Sequence, residues 1–278
     1  MKLEEIKYPD MHTHCEYSRD SVCEMEEMCL AQIEKGTKVF AVTDHFDTGY
    51  YLIYDMFSSI KASNEKVSEL KEKYGDKIHI LAGVEIGEGF WHPEQCEKIM
   101  RLCDYDVVIG SVHLIKYKGE TCSLARNDVS KFTREMLEEY VNVYFDDMLT
   151  MIDTVDFDIL AHLTLPLRYI NGKYNFGIDL SCYEQKIERI LDKIIQKGIA
   201  LEVNTSSYKI LGEAMPCENI LRRYYEKGGY LITLGSDAHS SNQAAQFFDD
   251  AIEVIKKVGF KQVYYYKKRK PYAINIEK

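Results

Sequence analysis

No Cys-x-x-Cys pair occurs in the chain, although it carries eight cysteines: Cys15, Cys23, Cys29, Cys96, Cys103, Cys122, Cys182 and Cys217. That excludes zinc-ribbon and thioredoxin-type arrangements, and reduced thiols of a cytoplasmic protein are the simplest reading. No run of about 18 apolar residues is present, so no membrane-spanning helix and no membrane partner are expected. The segment Met1-Lys2-Leu3-Glu4-Glu5 is charged and has no apolar stretch, so no secretory leader is expected either. Positive charge is scarce. Against 45 acidic residues stand 35 lysines and arginines, a formal net charge of −10, which is a poor match for a nucleic-acid backbone. The one dense basic run, Lys267-Lys268-Arg269-Lys270, reads as a solvated surface segment. No linker, low-complexity stretch or clear repeat divides the sequence, so residues 1–278 are expected to form one domain.

What is present is a regular alternation. Short apolar runs, predicted as strands, span Lys7–Met11, Val39–Thr43, Ile78–Val84, Asp106–Gly110, Phe157–Ala161, Ile199–Val203 and Tyr230–Leu234. Runs such as Val39-Phe40-Ala41-Val42 are apolar throughout, as strands covered on both faces are. Helical patterns lie between them: Cys23–Lys35, Ser58–Tyr74, Pro93–Leu102, Phe132–Thr154, Glu184–Lys197, Glu218–Lys227 and Ala244–Val258. Gly36 and Gly198 stand where helix stops belong, and Ser181 with Glu184 fits a capping box. Strands alternating with helices imply a parallel α/β sheet, closed or nearly closed as a barrel, with an open doubly wound sheet as the alternative. A (β/α) barrel takes about 250 residues, and the 46% hydrophobic content supplies its core.

Nearly every predicted strand runs directly into a residue able to bind a metal. The successive ends are His12-Thr13-His14, Asp44-His45, Glu85, His113, His162 and Asp237-Ala238-His239. In a parallel barrel all these ends lie on one face, where active sites form. Six of the eight histidines follow strands; only His79 and His92 do not. Imidazoles and carboxylates gathered without partners are costly to bury, and metal ions resolve that cost. A donor set of this kind suits Zn²⁺, Mn²⁺ or iron.

The ordered set Asp10-Met11-His12-Thr13-His14, Thr43-Asp44-His45, Gly83-Val84-Glu85, Gly110-Ser111-Val112-His113, Ala161-His162 and Gly235-Ser236-Asp237-Ala238-His239 resembles the PHP (polymerase and histidinol phosphatase) family. With Pro166, Arg168 and Tyr169 following His162, it is most similar to the stand-alone histidinol-phosphate phosphatases. The resemblance implies a distorted (β/α)₇ TIM-like barrel holding two or three divalent ions. It further implies that His12, His14, Glu85 and Asp237 hold a first ion. Glu85, His113 and His162 would hold a second, with Glu85 as the bridge, and Asp20, His45 and His239 a third. Asp20 stands where many family members place a histidine. The implied reaction is hydrolysis of L-histidinol phosphate to L-histidinol and phosphate, a step of histidine biosynthesis. Glu85 and Asp20 would be catalytic, with Asp20 or an adjacent metal-bound water as the proton donor to the leaving alkoxide.

For the small phosphorylated substrate, Arg168 and Arg126 are candidate phosphate ligands, because guanidinium meets phosphate in a bidentate fork. Glu88, Asp47, Phe90, Trp91 and His92 are candidates for the amine and imidazole. Three other readings compete. Another PHP phosphoesterase could act on a different small metabolite or a nucleotide. A non-catalytic metal-binding barrel should have lost ligands, which this chain has not. A metal-dependent amidohydrolase should end a middle strand in lysine, and none does. Oligomeric state, homo-oligomers included, is left open.

Overall fold

The structure is a computed structural model that describes residues 8–277. Twelve strands are present among them: β1 Asp10–Thr13, β2 Val39–Val42, β3 His45–Asp47, β4 His79–Gly87, β5 Val107–Ser111, β6 Leu114–Tyr117, β7 Glu120–Ser123, β8 Ile159–Leu160, β9 Ala200–Asn204, β10 Ile232–Gly235, β11 Gln262–Lys267 and β12 Lys270–Asn275. The helices are α1 Met25–Glu34, α2 Met56–Tyr74, α3 Pro93–Met100, α4 Arg134–Thr154, α5 Leu165–Ile170, α6 Glu184–Lys197, α7 Tyr208–Leu211, α8 Glu218–Glu226 and α9 Phe248–Val258.

The main sheet runs β1-β2-β4-β5-β8-β9-β10, with β3 also on β4, and every pairing in it is parallel. β2 and β3 are two halves of one strand position, interrupted at Thr43-Asp44, so seven positions make up the sheet. It closes into a barrel where its edges meet. His14 N donates to Ala238 O at 2.9 Å and Asp237 N to His12 O at 2.8 Å. Buried Asp10 reinforces this seam by accepting from Ser236 N (2.9 Å), Ser236 Oγ (2.5 Å) and Gln32 Nε2 (2.6 Å). The strands are buried along nearly their whole length, which explains their continuous apolar runs. α6 shows the outer layer's logic: Ile187, Ile190, Leu191 and Ile194 form its one buried stripe, at the spacing a helix requires. Gly198 ends it with φ 69°, a conformation that costs glycine nothing.

Some expectations are corrected. β1 lies later than predicted, so His12 sits within the strand rather than after it; Lys7 lies outside the described residues. The Ser181/Glu184 capping box does not form, because Ser181 belongs to a short 3₁₀ turn and its hydroxyl bonds Asp179 Oδ2. α9 begins at Phe248, not Ala244, because Ala245 and Phe247 have φ of 48° and 57°. The basic run is not simply solvated. It is the turn of the β11–β12 hairpin, and it docks on the barrel floor, where Arg269 Nε meets Asp158 Oδ2 at 2.5 Å and Lys268 N meets Asp106 Oδ1 at 3.1 Å.

Candidate metal centre

The barrel mouth brings together six histidines and three carboxylates from six strand positions. His12 lies in β1 and His14 just beyond it. Asp20 comes from the following loop and His45 opens β3. Glu85 lies within β4, His113 follows β5, His162 follows β8, and Asp237 and His239 follow β10. His162 and Asp237 have φ of 24° and 52°. Strain of this sort persists where the surroundings impose it, commonly at functional sites.

Glu85 is the centre. It is fully buried, and its two oxygens face different imidazoles. Oε1 lies 3.0 Å from His162 Nε2 and 3.2 Å from His113 Nε2. Oε2 lies 2.8 Å from His45 Nδ1, 3.4 Å from His12 Nε2 and 3.6 Å from His14 Nε2. Asp237 Oδ1 adds contacts of 3.3 Å to His14 Nε2 and 3.7 Å to His12 Nε2. Asp20 Oδ1 is 3.4 Å from His45 Nε2 and 3.5 Å from His239 Nε2. Donor atoms converge in four overlapping triads: His12/His14/Asp237, His12/Glu85/His162, His45/Glu85/His113 and His14/His45/His239. The first lies within the set expected for one ion. The other three cross the expected boundaries, since His45 shares a triad with Glu85 and His113, and His14 with His45 and His239.

The donor chemistry fits divalent metal. His12 Nε2, His14 Nε2, His45 Nδ1 and Glu85 Oε2 are buried without a hydrogen-bond partner, a cost that a folded protein rarely carries without use. Charge is arranged to match. Burial would raise the Glu85 carboxyl, but His113, His12 and His45 outweigh it and hold it well below the ordinary range. Asp237 is likewise held low, against burial, by His12, His14 and His239. His14 is pushed well below the usual imidazole value by burial and by His45 and His239, whose rings stack on it at 4.1 and 4.2 Å. A neutral ring keeps a lone pair for a cation. Asp20 is held low by His239, His45 and His14 despite burial.

A second layer of carboxylates orients these rings. Glu202, inside β9, accepts His12 Nδ1–H at 2.7 Å and the His162 backbone N–H at 2.7 Å. This leaves His12 Nε2 as the free lone pair. Asp47 holds His113 Nδ1 at 2.8 Å in the same way. Two glycines make room: a Cβ on Gly235 would overlap Glu202 Oε1, and one on Gly87 would overlap Asp47 Oδ1. Sequence reasoning missed Glu202. Its signal was a lone carboxylate inside an otherwise apolar strand, at the one strand position without a ligand at its end. Asp44 is no free ligand, because its oxygens accept from Cys15 N (2.8 Å), Ser18 Oγ (2.6 Å) and Ser63 Oγ (2.6 Å).

Above the cluster opens a cavity of about 260 Å³, lined by Arg19, Asp20, His45, His113, Ser123, Leu124, Ala125, His162, Leu165, Arg168, Tyr169, Asp237, His239 and Gln243. Of the seven residues expected to contact substrate, only Arg168 lines it, with Nη1 on Ser206 Oγ at 2.9 Å; Asp47, Phe90 and Trp91 do not. Arg126 is exposed to solvent beside the lining residue Ala125. His92 stands outside the cavity, next to the Tyr51 ring and Glu94. Glu88 is fully buried. It accepts the backbone N–H groups of His113 and Leu114, and burial together with Asp47 pushes its carboxyl up to about 8. Glu88 therefore braces the His113 loop and does not touch the cavity.

A parallel barrel with carboxylate-bridged imidazoles at its mouth defines a metal-dependent hydrolase of the barrel type. The PHP domain model matches residues 10–206, more than half of the chain, and the protein belongs to the PHP family. It is 29% identical over 273 residues to a probable histidinol-phosphatase of Clostridium acetobutylicum, covering 95% of this chain and 99% of that protein. It is 25% identical to the histidinol-phosphatase of Lactococcus lactis, covering 93% and 94% of the two chains. The fold matches the crystal structure of the L. lactis histidinol phosphate phosphatase complexed with zinc, L-histidinol and phosphate, with a TM-score of 0.73, 20% identity and coverage of 96% and 99%.

Proposed function

We propose that this protein is a metal-dependent phosphomonoesterase that hydrolyses L-histidinol phosphate to L-histidinol and phosphate. The observation that carries the reading is Glu85, whose two oxygens each face a separate group of imidazoles at the floor of a small cavity. Glu85 would bridge two ions, one held with His113 and His162 and one with His12, His14 and Asp237. Asp20, His45 and His239 would complete a third position. Zn²⁺, Mn²⁺ and iron all suit these donors. Bound ions would acidify a water and neutralise the phosphoryl oxygens.

The chain's own residues do the rest. Arg168 places its guanidinium at the cavity wall for a phosphoryl oxygen. Asp20, on the cavity side, or a water beside it would protonate the departing alkoxide while the proton of the attacking water leaves to solvent, so the step is neutral overall. Leu124, Leu165 and Tyr169 give the cavity an apolar share of its lining. The volume, the full-length kinship with histidinol-phosphatases and the eight free thiols support a small metabolite as substrate and the cytoplasm as the place of action. Among the described residues no helix is long and apolar enough to cross a membrane.

The test is phosphate release from L-histidinol phosphate before chelation, after it, and after re-addition of Mn²⁺, Zn²⁺ or Fe²⁺. Metal-restorable turnover well above that on p-nitrophenyl phosphate and nucleotides is expected. Equal turnover on all esters would remove the substrate assignment, and turnover indifferent to chelation would remove the metals. A second reading, another small phosphate ester, has support from relatives named only as probable phosphatases, such as that of Shewanella loihica at 24% identity.

A further inference from the structure

We propose that Arg19 is a second phosphate-binding arginine of this cavity, offering the part of its guanidinium that Asp47 leaves free to a phosphoryl oxygen. The inference rests on the phosphoester reading above. Arg19 lines the cavity together with Arg168, His45 and His113. Its Nη1 is tied to Asp47 Oδ2, and its guanidinium carbon lies 4.5 Å from the centre of the Tyr50 ring. One end and one face of the group are thus fixed. Nε is buried and has no hydrogen-bond partner.

Asp47 engages Nη1 alone, and an arginine present only to neutralise it has no need to line the cavity beside Arg168. The edge formed by Nε and Nη2 is one of the two forks with which guanidinium grips a phosphate. The ion pair and the ring hold it in position beforehand, so little side-chain freedom is lost on binding. The same Asp47 bonds His113 Nδ1 through its other oxygen. Asp47 therefore sets the positions of the phosphate fork and of one imidazole together.

The test uses the metal-loaded enzyme and inorganic phosphate as the probe, titrated by calorimetry, which needs no turnover. Arg19→Ala should weaken phosphate binding about 10- to 100-fold, the scale of a lost charge-assisted hydrogen bond. KM for L-histidinol phosphate should rise while metal content, measured by mass spectrometry, stays at the wild-type level. Arg19→Lys keeps the charge beside Asp47 but lacks the fork, so it should recover phosphate affinity only in part; it also serves if the alanine variant does not fold. Unchanged phosphate affinity in both variants would overturn the proposal. Loss of metal along with affinity would overturn it too, since Arg19 would then act only by positioning His113 through Asp47. A wild-type enzyme inactive on L-histidinol phosphate would remove the substrate assignment, and the phosphate titration would still decide the role of Arg19.

Discussion

The two ends of the barrel both carry buried carboxylates, and they treat them in opposite ways. At the floor, Asp158 accepts Val108 N at 2.8 Å and Arg269 Nε at 2.5 Å. Asp106 accepts Ala82 N (3.1 Å), Lys268 N (3.1 Å) and Lys71 Nζ (3.2 Å). Each acid there has partners that are part of the fold. At the mouth, Glu85 is as deeply buried, yet Oε2 lacks a hydrogen bond among imidazoles that also lack one. Satisfied polar groups stabilise a fold, whereas converging unsatisfied ones mark a place reserved for something else. Mouth substitutions should therefore cost activity and metal while the fold survives. Floor substitutions should cost stability while kcat survives.

The sharpest break is Glu85→Ala. It should lower kcat/KM by at least about 10²-fold and reduce bound metal at two positions together, with the metal-free protein still folded by circular dichroism; wild-type metal content would refute the bridge. Next is Glu202→Gln, which keeps the shape but weakens the acceptor behind His12. Metal affinity should fall about 10- to 100-fold, read by competition with a chromogenic chelator, and unchanged affinity would reduce Glu202 to packing. At the floor, Arg269→Met strips Asp158 of its cation. Unfolding free energy should fall by about 1–3 kcal/mol in urea titration, with kcat unchanged; a fall in kcat instead would blur the division between the ends. The smallest effect belongs to Lys268→Ala, within about 0.5 kcal/mol. Its backbone N–H, not its exposed side chain, meets Asp106, and a larger loss would show that the lysine charge matters.

Much of this was legible in the sequence for a physical reason. Strands covered on both sides must be apolar throughout, so all seven barrel positions stood out, and ligands at their ends stood out by contrast. The hairpins did not. The β11–β12 turn is Lys268-Arg269 with φ of 51° and 59°, a conformation usually signalled by Asn-Gly, so the basic run looked like surface while Tyr264-Tyr265-Tyr266 went unread as a strand. Glu88 and Arg19 were misjudged or missed because their roles depend on which way a loop turns. Periodicity carries no information on that. The Ser181/Glu184 pattern was misleading because Asp179, two residues earlier, captured the serine.

The seam also bears on the order in which the molecule is made. Asp10 and His12 must meet Ser236 and Asp237, near the other end of the chain, before either the barrel or its metal centre exists. Contacts of such long sequence separation are slow to form. A chain emerging from the ribosome holds His12, His14, His45 and Glu85 long before Asp237 arrives. The complete donor cluster is therefore a late product of folding, and its capacity to retain metal reports that the whole barrel has closed.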